Sequence, residues 1–553
     1  MATLKLTQPP SPIVRARIRS ESIKRAWGPL VVLALAALGG CATQPPGSDF
    51  PKNTSTAFDR PAETRLGRQF ADARAQHGTD SGFRLIAAGA EAFLIRMEMI
   101  NAAERSLDLQ YYIFHGDETG RLLTAAVLHA ADRGVRVRIL IDDAETAPGD
   151  DQVTALAAHR SIEIRIFNPF AYRGHSEFMR GLEFTFEAPR LDYRMHNKLL
   201  AVDNALALVG GRNIGDQYFQ MDPESQFADD DVFAAGPVVE QLSATFDQYW
   251  NSAMSIPVQA LEHEKALRPS VLDRHREALD RESQQAKAGN IDYMKRVSEG
   301  EPFNGLLAGR LPLVWAHAQV LCDSPDKKKV EAGSMVGNLM RREVVDAIKQ
   351  VKSELLMVSP YLIPGDDGML LLSELRRRNV QIRALTNSLE SSIELIAHAG
   401  YMHYRIAMLE QGVELYEIRS LLGDPKGSGE TRTMAQYGNF ALHAKLFVFD
   451  RQRVFVGSMN FDQRSMHLNT EVGLLIDSPA IAQQVATRFA AMTQPANAYK
   501  VALRKSGVDD LPRLAWITRE NGADVTYQSE PARSAWQRFK ATFLSMLPVD
   551  DEL

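Results

Sequence analysis

The sequence predicts an α/β protein built from two repeated halves. A short pattern, His-x-Lys-x4-Asp, occurs at 196–203 and again at 443–450, and each copy continues in register to a glycine and an asparagine. All five positions recur after the same interval of 247 residues (443 − 196, and likewise for the others). Strand-like segments alternate with segments of helical length in both halves, at 106–112, 134–142 and 162–167, and at 355–361, 379–385 and 413–418. This alternation favours a sandwich with a parallel or mixed sheet.

Length and composition limit the class of protein. A chain of 553 residues is too long for one core and is expected to form two or three domains. Its 45% hydrophobic and 24% charged residues are ordinary for a globular protein. The net charge of −6 argues against a nucleic-acid partner, although it leaves room for a local basic pocket.

The N-terminus is predicted to be a targeting segment. Basic residues precede a short apolar run at 30–38, which ends in Leu38-Gly39-Gly40-Cys41. This arrangement is typical of a lipoprotein signal peptide over 1–41, with a lipid on Cys41, which would place the protein in the bacterial cell envelope facing the periplasm. The apolar run is too short to cross a bilayer. A plain signal peptide and a buried helix are the alternatives.

The rest of the chain divides by composition. The expected parts are a flexible tether at 42–80, a first domain at 81–256, a charged helical connector at 257–310, a second domain at 311–490 and a C-terminal extension at 491–553. Two irregular segments near the repeated pattern, 171–193 and 421–440, are interpreted as lids or binding loops, with disorder as the alternative. An amphipathic segment at 532–547 is expected to pack in a core, and docking on a membrane surface is the alternative.

The repeated pattern predicts an anion site. Apolar neighbours place each copy on a buried strand, where residues two apart point to the same side, so His196 and Lys198 project together, as do His443 and Lys445. Buried charge needs compensation, and a bound phosphate is the simplest source. Lysine is not a usual metal ligand, which argues against a metal centre.

Bringing the halves together would assemble a reactive centre. Lys198, Lys445, Asn213 and Asn460 would neutralise and hydrogen-bond the phosphoryl oxygens, one imidazole would attack phosphorus, and the other would protonate the leaving alcohol. A carboxylate is expected to hold the far nitrogen of each ring. Asp229 and Glu471, each eight positions before a proline, are the predicted pair, and Asp230 or Asp231 could replace Asp229.

The doubled pattern resembles the signature of the phospholipase D superfamily, and most closely its cardiolipin synthases of the C type. The stretches that carry the resemblance are 109–115, 194–198, 210–216 and 469–471, together with both His-x-Lys-x4-Asp patterns. The resemblance implies two phospholipase D-like α/β/α sandwich domains in a pseudo-two-fold arrangement, with the active site at their interface. It also implies a covalent phosphohistidine and no metal or other cofactor.

The catalytic set implied by the resemblance is His196, Lys198, Asp203, His443, Lys445 and Asp450. We place the nucleophile at His196 and the acid at His443, and we expect the two aspartates, which lie at strand ends, to orient the motifs. Ser458 would supply a hydroxyl to the phosphate, and its counterpart in the first half is Gly211, which cannot.

Three functions fit the sequence. The first is a phosphatidyltransferase that makes cardiolipin from phosphatidylglycerol, with phosphatidylglycerol or phosphatidylethanolamine as donor, at a membrane surface to which the lipid anchor tethers it. The second is a hydrolytic phospholipase D that releases phosphatidic acid. The third is a phospholipid-binding lipoprotein without activity. The sequence makes no prediction about an accessory protein.

Overall fold

A computed structural model describes residues 44–144, 155–174, 176–222, 224–261, 268–289, 312–422, 439–505 and 512–547. The predicted signal peptide, with Cys41, lies outside these ranges, and so does most of the predicted loop at 421–440. None of the helices in the described ranges combines the length and the hydropathy that crossing a membrane requires.

The first half contains the elements α1 (Arg65–His77), β1 (Ser81–Ile86), α2 (Gly89–Ala102), β2 (Ser106–Tyr111), α3 (Glu118–Asp132), β3 (Arg136–Asp142), β4 (Ile162–Phe167), α4 (Glu177–Leu191), β5 (Leu199–Val202), β6 (Leu206–Gly210), β7 (Ser225–Ala228), β8 (Asp231–Ala235), α5 (Pro237–Asn251) and β9 (Ser255–Pro257). A further helix, α6 (Pro269–Gly289), follows it.

The second half repeats this order with additions. Its elements are β10 (Val314–Cys322), α7 (Lys327–Glu331), α8 (Met340–Lys349), β11 (Glu354–Val358), α9 (Gly365–Arg377), β12 (Gln381–Asn387), α10 (Leu395–Glu410), β13 (Glu414–Ile418), β14 (Asn439–Leu442), β15 (Leu446–Phe449), β16 (Arg453–Gly457), α11 (Gln463–His467), β17 (Val472–Asp477), α12 (Pro479–Met492), β18 (Ala498–Lys505), β19 (Pro512–Glu520), β20 (Ala523–Tyr527) and α13 (Ala535–Leu544).

One sheet runs through both halves, with 18 strands in the described ranges. Its strand order in the first half is β9-β4-β3-β2-β5-β6-β8-β1. The second half mirrors this order as β10-β17-β16-β15-β11-β12-β13-β18, and β19 and β20 extend its outer edge. The halves join where β1 pairs with β10. This symmetry confirms the predicted two-domain α/β architecture.

Helices cover both faces of the sheet because the strands are apolar on both sides, as is usual in parallel α/β folds. One apolar cluster packs beneath α2 and α3 in the first half, and a second packs beneath α8, α9 and α10 in the second half. A third cluster spans the two halves and includes Phe246 and Trp250 of α5 and Phe489 of α12. The two domains are therefore joined by shared core as well as by strand pairing.

The flexible tether predicted for 42–80 does not describe residues 44–80. Helix α1 is capped by Thr64, whose hydroxyl accepts the N–H of Gly67, and it buries Leu66 and Phe70 in the core of the first half. Farther upstream, the Ser55 carbonyl accepts hydrogen bonds from buried Arg138 and from Asn251. A few well-placed apolar and polar groups thus fix a segment whose overall composition resembles that of a linker.

The region after residue 490 differs from the predicted C-terminal extension. Strand β18 pairs with β13 as β9 pairs with β4, so the second domain continues past the predicted boundary at 490. Helix α13 lies on α10, but Trp536, Phe539 and Phe543 remain exposed to solvent. The predicted core packing of this amphipathic segment is therefore wrong for its apolar face.

The charged connector contains helix α6, which is only partly exposed. Leu272 and Leu279 join the core of the first half, while Arg276 forms an ion pair with Asp132 of α3. Asp273, Arg274, Glu277 and Arg281 are exposed to solvent, as expected for a charge-rich surface helix.

Candidate active site

The two histidines occupy equivalent positions at one edge of the sheet. His196 lies just before β5, which runs antiparallel to β2, so it is at the carboxyl end of the parallel strands β2, β3 and β4. His443 precedes β15 in the same way, beside the carboxyl end of β11. Ligand sites in open α/β sheets are commonly found at this edge.

His196 is held by the second half of the chain. Its Nδ1 lies 2.9 Å from Oε2 of Glu471, and its backbone N–H donates to the carbonyl of Thr470 at 2.9 Å. The Glu471 carboxylate also accepts hydrogen bonds from the hydroxyls of Ser458 and Ser465. With Nδ1 occupied, Nε2 is the ring nitrogen of His196 available to a substrate.

His443 is held by the first half in return. Its Nδ1 lies 2.6 Å from Oδ2 of Asp229, and its backbone N–H donates to the carbonyl of Ala228 at 2.7 Å. Strands β7 and β14 pair in parallel just before these two residues, which aligns them. Phe227 stacks on the imidazole and Tyr218 approaches it edge-on. Each imidazole therefore depends on a carboxylate from the opposite domain.

Both lysines are buried beside their own histidines. Lys198 Nζ donates to the carbonyl of His196 at 2.6 Å, and Lys445 Nζ lies 2.9 Å from Nδ1 and 3.1 Å from Nε2 of His443. Burial lowers the pKa of Lys445 to about 8. Burial also lowers the pKa of Lys198 well below its ordinary value, and the charge of Lys445 lowers it further while Glu471 opposes the shift. A bound anion would relieve this excess of positive charge.

Both imidazoles are neutral in the unliganded site. Their carboxylate partners, Glu471 and Asp229, have pKa values shifted in opposite directions. Burial and Lys445 lower the pKa of His443 to about 3, and burial with Lys198 and Lys445 lowers the pKa of His196 well below 6.5. Burial raises the pKa of Glu471 to about 7. Burial would also raise the pKa of Asp229, but His443 and Lys445 outweigh it and hold that pKa below its ordinary value.

The predicted asparagines are buried close to the histidine motifs. Asn213 accepts a hydrogen bond from the N–H of Ile113 and donates one to the hydroxyl of Tyr218. Asn460 Oδ1 is buried and has no hydrogen-bond partner among the described residues. The described part of the chain contains no group of three or more His, Cys, Asp or Glu side chains arranged to hold a metal ion.

Ser458 does not have the role predicted for it. Its hydroxyl donates to the carboxylate of Glu471, so it supports that side chain instead of binding phosphate. The counterpart Gly211 lies against the carboxylate of Asp229, and a Cβ there would be 2.1 Å from Oδ1. The difference between Ser458 and Gly211 thus follows from the length of the partner: the shorter aspartate needs the space that a serine side chain would fill.

We expect Gly211→Ala to lower kcat by about 100-fold, because the new methyl group displaces Asp229 from His443 and small misplacements of catalytic groups have effects of this size. Steady-state kinetics on the purified variant measure the loss. The matched control is Gly181→Ala on α4, where a Cβ would meet nothing within 4 Å. Equal activities of the two variants would contradict this role of Gly211.

Asp203 and Asp450, included in the catalytic set, lie away from the reactive groups. Each occupies a left-handed turn after its strand, where its carboxylate accepts the backbone N–H groups that lead into β2 or β11. Seven extended residues at about 3.3 Å each put roughly 23 Å between such an aspartate and its histidine. These residues hold the strand that carries the motif, as the position at strand ends predicted.

The other two acids of the 229–231 run have arginine partners. Asp230 pairs with Arg488 of α12, and Asp231 pairs with Arg96 and Arg212, so neither contacts an imidazole. Of the three consecutive acids, the structure brings only Asp229 to a histidine within the described residues. His398, predicted to be structural, pairs with Glu530 inside the second domain.

Two positioning residues were missed by sequence reasoning. Asp142 ends β3 and accepts the N–H of Met195, and Asn387 ends β12 and bonds both the N–H and the carbonyl of Leu442. Each therefore fixes the residue immediately before one of the two motif histidines. Their signal was a polar residue at the end of the equivalent strand in both halves.

The paired geometry agrees with comparisons to known proteins. The family model described as "Cardiolipin synthase, PLD-like domain" matches residues 97–250 and 344–493, one segment in each half. The chain belongs to this phospholipase D-like family. Cardiolipin synthase C of Escherichia coli strain K12 is 36% identical over 480 residues, covering 86% of this chain and 97% of the relative.

Two further comparisons extend the similarity. An uncharacterized protein of Helicobacter pylori strain J99 is 29% identical over 525 residues, which covers 94% of this chain and 98% of the relative. The crystal structure of phosphatidylserine synthase from Haemophilus influenzae superposes with a TM-score of 0.51 at 11% identity, covering 78% of this chain and 91% of that one. The latter similarity supports the two-domain fold.

Proposed function

We propose that the protein is a phosphatidyltransferase that forms cardiolipin from two phospholipids through a phosphohistidine intermediate. The observation that carries the proposal is the crossed arrangement of the histidines, each bonded to a carboxylate of the other domain with two buried lysines beside them. Family membership and the 36% identity to cardiolipin synthase C support the choice of substrate class.

In the first step, Nε2 of His196 attacks the phosphorus of a donor phospholipid. The bond from phosphorus to the headgroup oxygen breaks, and His443 gives its proton to that oxygen, so phosphatidylglycerol releases glycerol. Lys198 and Lys445 stabilise the negative charge on the phosphoryl oxygens as it develops. Binding of the phosphodiester anion raises the pKa of His443, which lets it enter the step protonated.

The second step reverses these roles. A primary hydroxyl of phosphatidylglycerol attacks the phosphatidyl-His196 adduct and loses its proton to His443, while the bond from nitrogen to phosphorus breaks. Cardiolipin is released and the resting protonation states return. With water as the acceptor, the same chemistry yields phosphatidic acid, which is the hydrolytic alternative.

The opposite pKa shifts of Asp229 and Glu471 support the assignment of His196 as nucleophile and His443 as acid. Asp229 keeps its charge and therefore stabilises His443 as an imidazolium, which a general acid requires. Glu471 has a pKa of about 7 and stabilises positive charge on its partner less strongly, which suits a neutral nucleophile at His196.

This assignment predicts an acidic limb in the pH profile of kcat, which reports on the substrate complex, where His443 is already protonated. The pKa of Glu471 is raised to about 7, so its anion is lost as pH falls through 7. A protonated Glu471 donates to Nδ1 of His196 and moves the ring proton to Nε2, which blocks attack. The rate is therefore expected to fall about tenfold per pH unit below 7. Glu471→Gln should be slower and lack this limb, and a limb that persists in this variant would contradict the assignment.

The cellular setting belongs to the same proposal. The sequence pattern ending at Cys41 supports a lipid anchor that holds the enzyme at a membrane of the bacterial envelope, facing the periplasm. Anchoring raises the effective concentration of enzyme at the surface that contains its substrates.

Product analysis tests the proposed function. The purified protein is incubated with vesicles of phosphatidylglycerol, with and without ethanolamine-labelled phosphatidylethanolamine, and the lipids are identified by mass spectrometry. Cardiolipin with released glycerol is expected, and labelled ethanolamine would identify the second donor. Phosphatidic acid without cardiolipin would establish the hydrolase instead, and His196→Ala is the control for contaminating activity.

A further inference from the structure

Helix α13 presents an apolar face to solvent. Its inner side buries Ala541, and Gln537 Nε2 donates to the carbonyl of Leu389 at 2.7 Å. On the opposite side Trp536, Phe539 and Phe543 are 63%, 58% and 55% exposed, and Met546 and Leu547 extend the stripe. Packing against the domain therefore leaves the larger apolar side chains uncovered.

Helix α4 is inverted relative to an ordinary surface helix. Most of its charged residues contact the protein: Arg180 contacts the Phe170 ring, and Glu183 accepts the N–H groups of Ala171 and Tyr172, while Glu177 in the first turn is exposed. Its apolar residues face solvent instead, with Phe178 76% exposed and Phe186 71% exposed. An exposed face of this kind on a soluble domain marks a surface that contacts an apolar partner.

Helix α4 lies at the sheet edge that carries the histidines, and the first turn of α13 reaches the same edge. Helix α4 follows β4 and ends five residues before His196 (196 − 191). In the first turn of α13, Gln537 contacts Leu389, two residues after Asn387, whose side chain bonds the residue before His443. The carbonyl of Ser545, just after α13, lies 2.6 Å from Nε2 of His403, midway along α10. The α4 face and the Trp536 end of the α13 face thus flank the active-site edge, one from each domain.

The composition of the α13 face indicates the partner. Lys540 of this helix and Arg533, just before it, are exposed, whereas Arg538 faces the protein and donates to the carbonyl of Glu530. Aromatic side chains bordered by basic ones are typical of helices that lie in the interface of an anionic bilayer. A second copy of this chain would gain nothing from that basic border, because it would bring like charges together.

We propose that the outward faces of α4 and α13 dock on an anionic phospholipid bilayer and hold the active-site edge against it. The inference rests on the proposed function only in that the substrate is a membrane phospholipid. Docking at this edge would let a lipid headgroup reach the histidines while its acyl chains remain near the bilayer.

Fluorescence quenching tests the docking directly. The full-length protein is mixed with vesicles of phosphatidylglycerol and phosphatidylcholine that carry brominated acyl chains. The difference between wild type and Trp536→Phe isolates the signal of Trp536, and quenching of that signal is expected. In the Trp536→Phe background, Phe178→Trp should be quenched, and the matched control Leu370→Trp, at an exposed leucine of α9, should not.

Three outcomes would overturn the proposal. They are an unquenched Trp536, equal quenching of the Leu370→Trp control, and shielding of Trp536 that grows with protein concentration without lipid, which would identify a second copy as the partner. Partitioning into vesicles of phosphatidylcholine alone should be at least about tenfold weaker. Equal partitioning would overturn the anionic part of the proposal.

A kinetic experiment separates docking from chemistry. The combined variant Phe178→Ser, Phe186→Ser, Trp536→Ser and Phe543→Ser should lose at least about tenfold in activity on bilayer phosphatidylglycerol. Its activity on short-chain phosphatidylglycerol below the micelle threshold should stay within about twofold of wild type, and equal losses on both substrates would contradict docking. If the wild type acted on neither lipid, the proposed function would fail while the quenching result would still decide the docking.

Discussion

Replacing His196 with alanine should lower phosphatidyl transfer by at least about 10⁴-fold, because the nucleophile is lost and no other described group takes its place. His443→Ala should cause a similar loss with natural lipids, since the headgroup alkoxide then leaves without a proton. The two variants are expected to diverge with a donor whose leaving group is nitrophenol. That leaving group needs no protonation, so the rate of adduct formation in His443→Ala should recover to within about tenfold of wild type, although the second step still lacks its base, whereas His196→Ala should not recover.

Stopped-flow measurement of nitrophenol release distinguishes these roles. Wild type and His443→Ala should show a burst that equals the enzyme concentration, because the covalent adduct forms and then waits for its acceptor. The opposite pattern, with recovery and burst in His196→Ala, would exchange the roles of nucleophile and acid. Full activity of either variant with natural lipid would remove that histidine from the mechanism.

The second large effect is expected at Asp229. Asp229→Asn preserves shape but removes the negative charge beside His443 and offers an N–H to Nδ1 in place of an acceptor. The imidazolium needed for proton donation is then no longer stabilised, and the tautomer is wrong for accepting a proton. We expect kcat to fall by about 10³- to 10⁴-fold, which is the size of effect known when the carboxylate partner of a catalytic histidine becomes an amide.

Asp230→Asn is the matched control for this change. Asp230 is the next residue, is equally buried and carries a carboxylate, but it faces Arg488 and contacts neither histidine. Its replacement should change thermal stability more than kcat. Similar losses of kcat in the two variants would show that the acidic run acts through folding, and the specific role of Asp229 would be rejected.

Much of the fold was predictable because the pattern is repeated. Alternating apolar strands such as β2 and β3 are visible from local sequence, and their recurrence as β11 and β12 required two equivalent domains. The interface could be inferred only in general terms. That Glu471 serves His196 while Asp229 serves His443 depends on long-range pairing, which local periodicity does not encode.

The errors in the structure predicted from the sequence have physical causes. Residues 44–80 resembled a tether because composition averages over the few side chains, such as Leu66, that anchor them. The role of Ser458 was misassigned because a motif specifies residue type but not the direction of a hydroxyl. The exposed face of α13 was expected to be buried, since apolar spacing along a helix indicates a contact without identifying the partner.

The central claim is that both domains act on one phosphodiester through a covalent bond to His196. The most direct measurement is rapid quenching of the protein with phosphatidylglycerol labelled in its phosphatidyl moiety, followed by peptide mapping under alkaline conditions that preserve phosphohistidine. An acid-labile phosphatidyl adduct on the peptide containing His196, absent from His196→Ala, is predicted. Turnover with inversion at phosphorus and no label on either histidine would contradict the account.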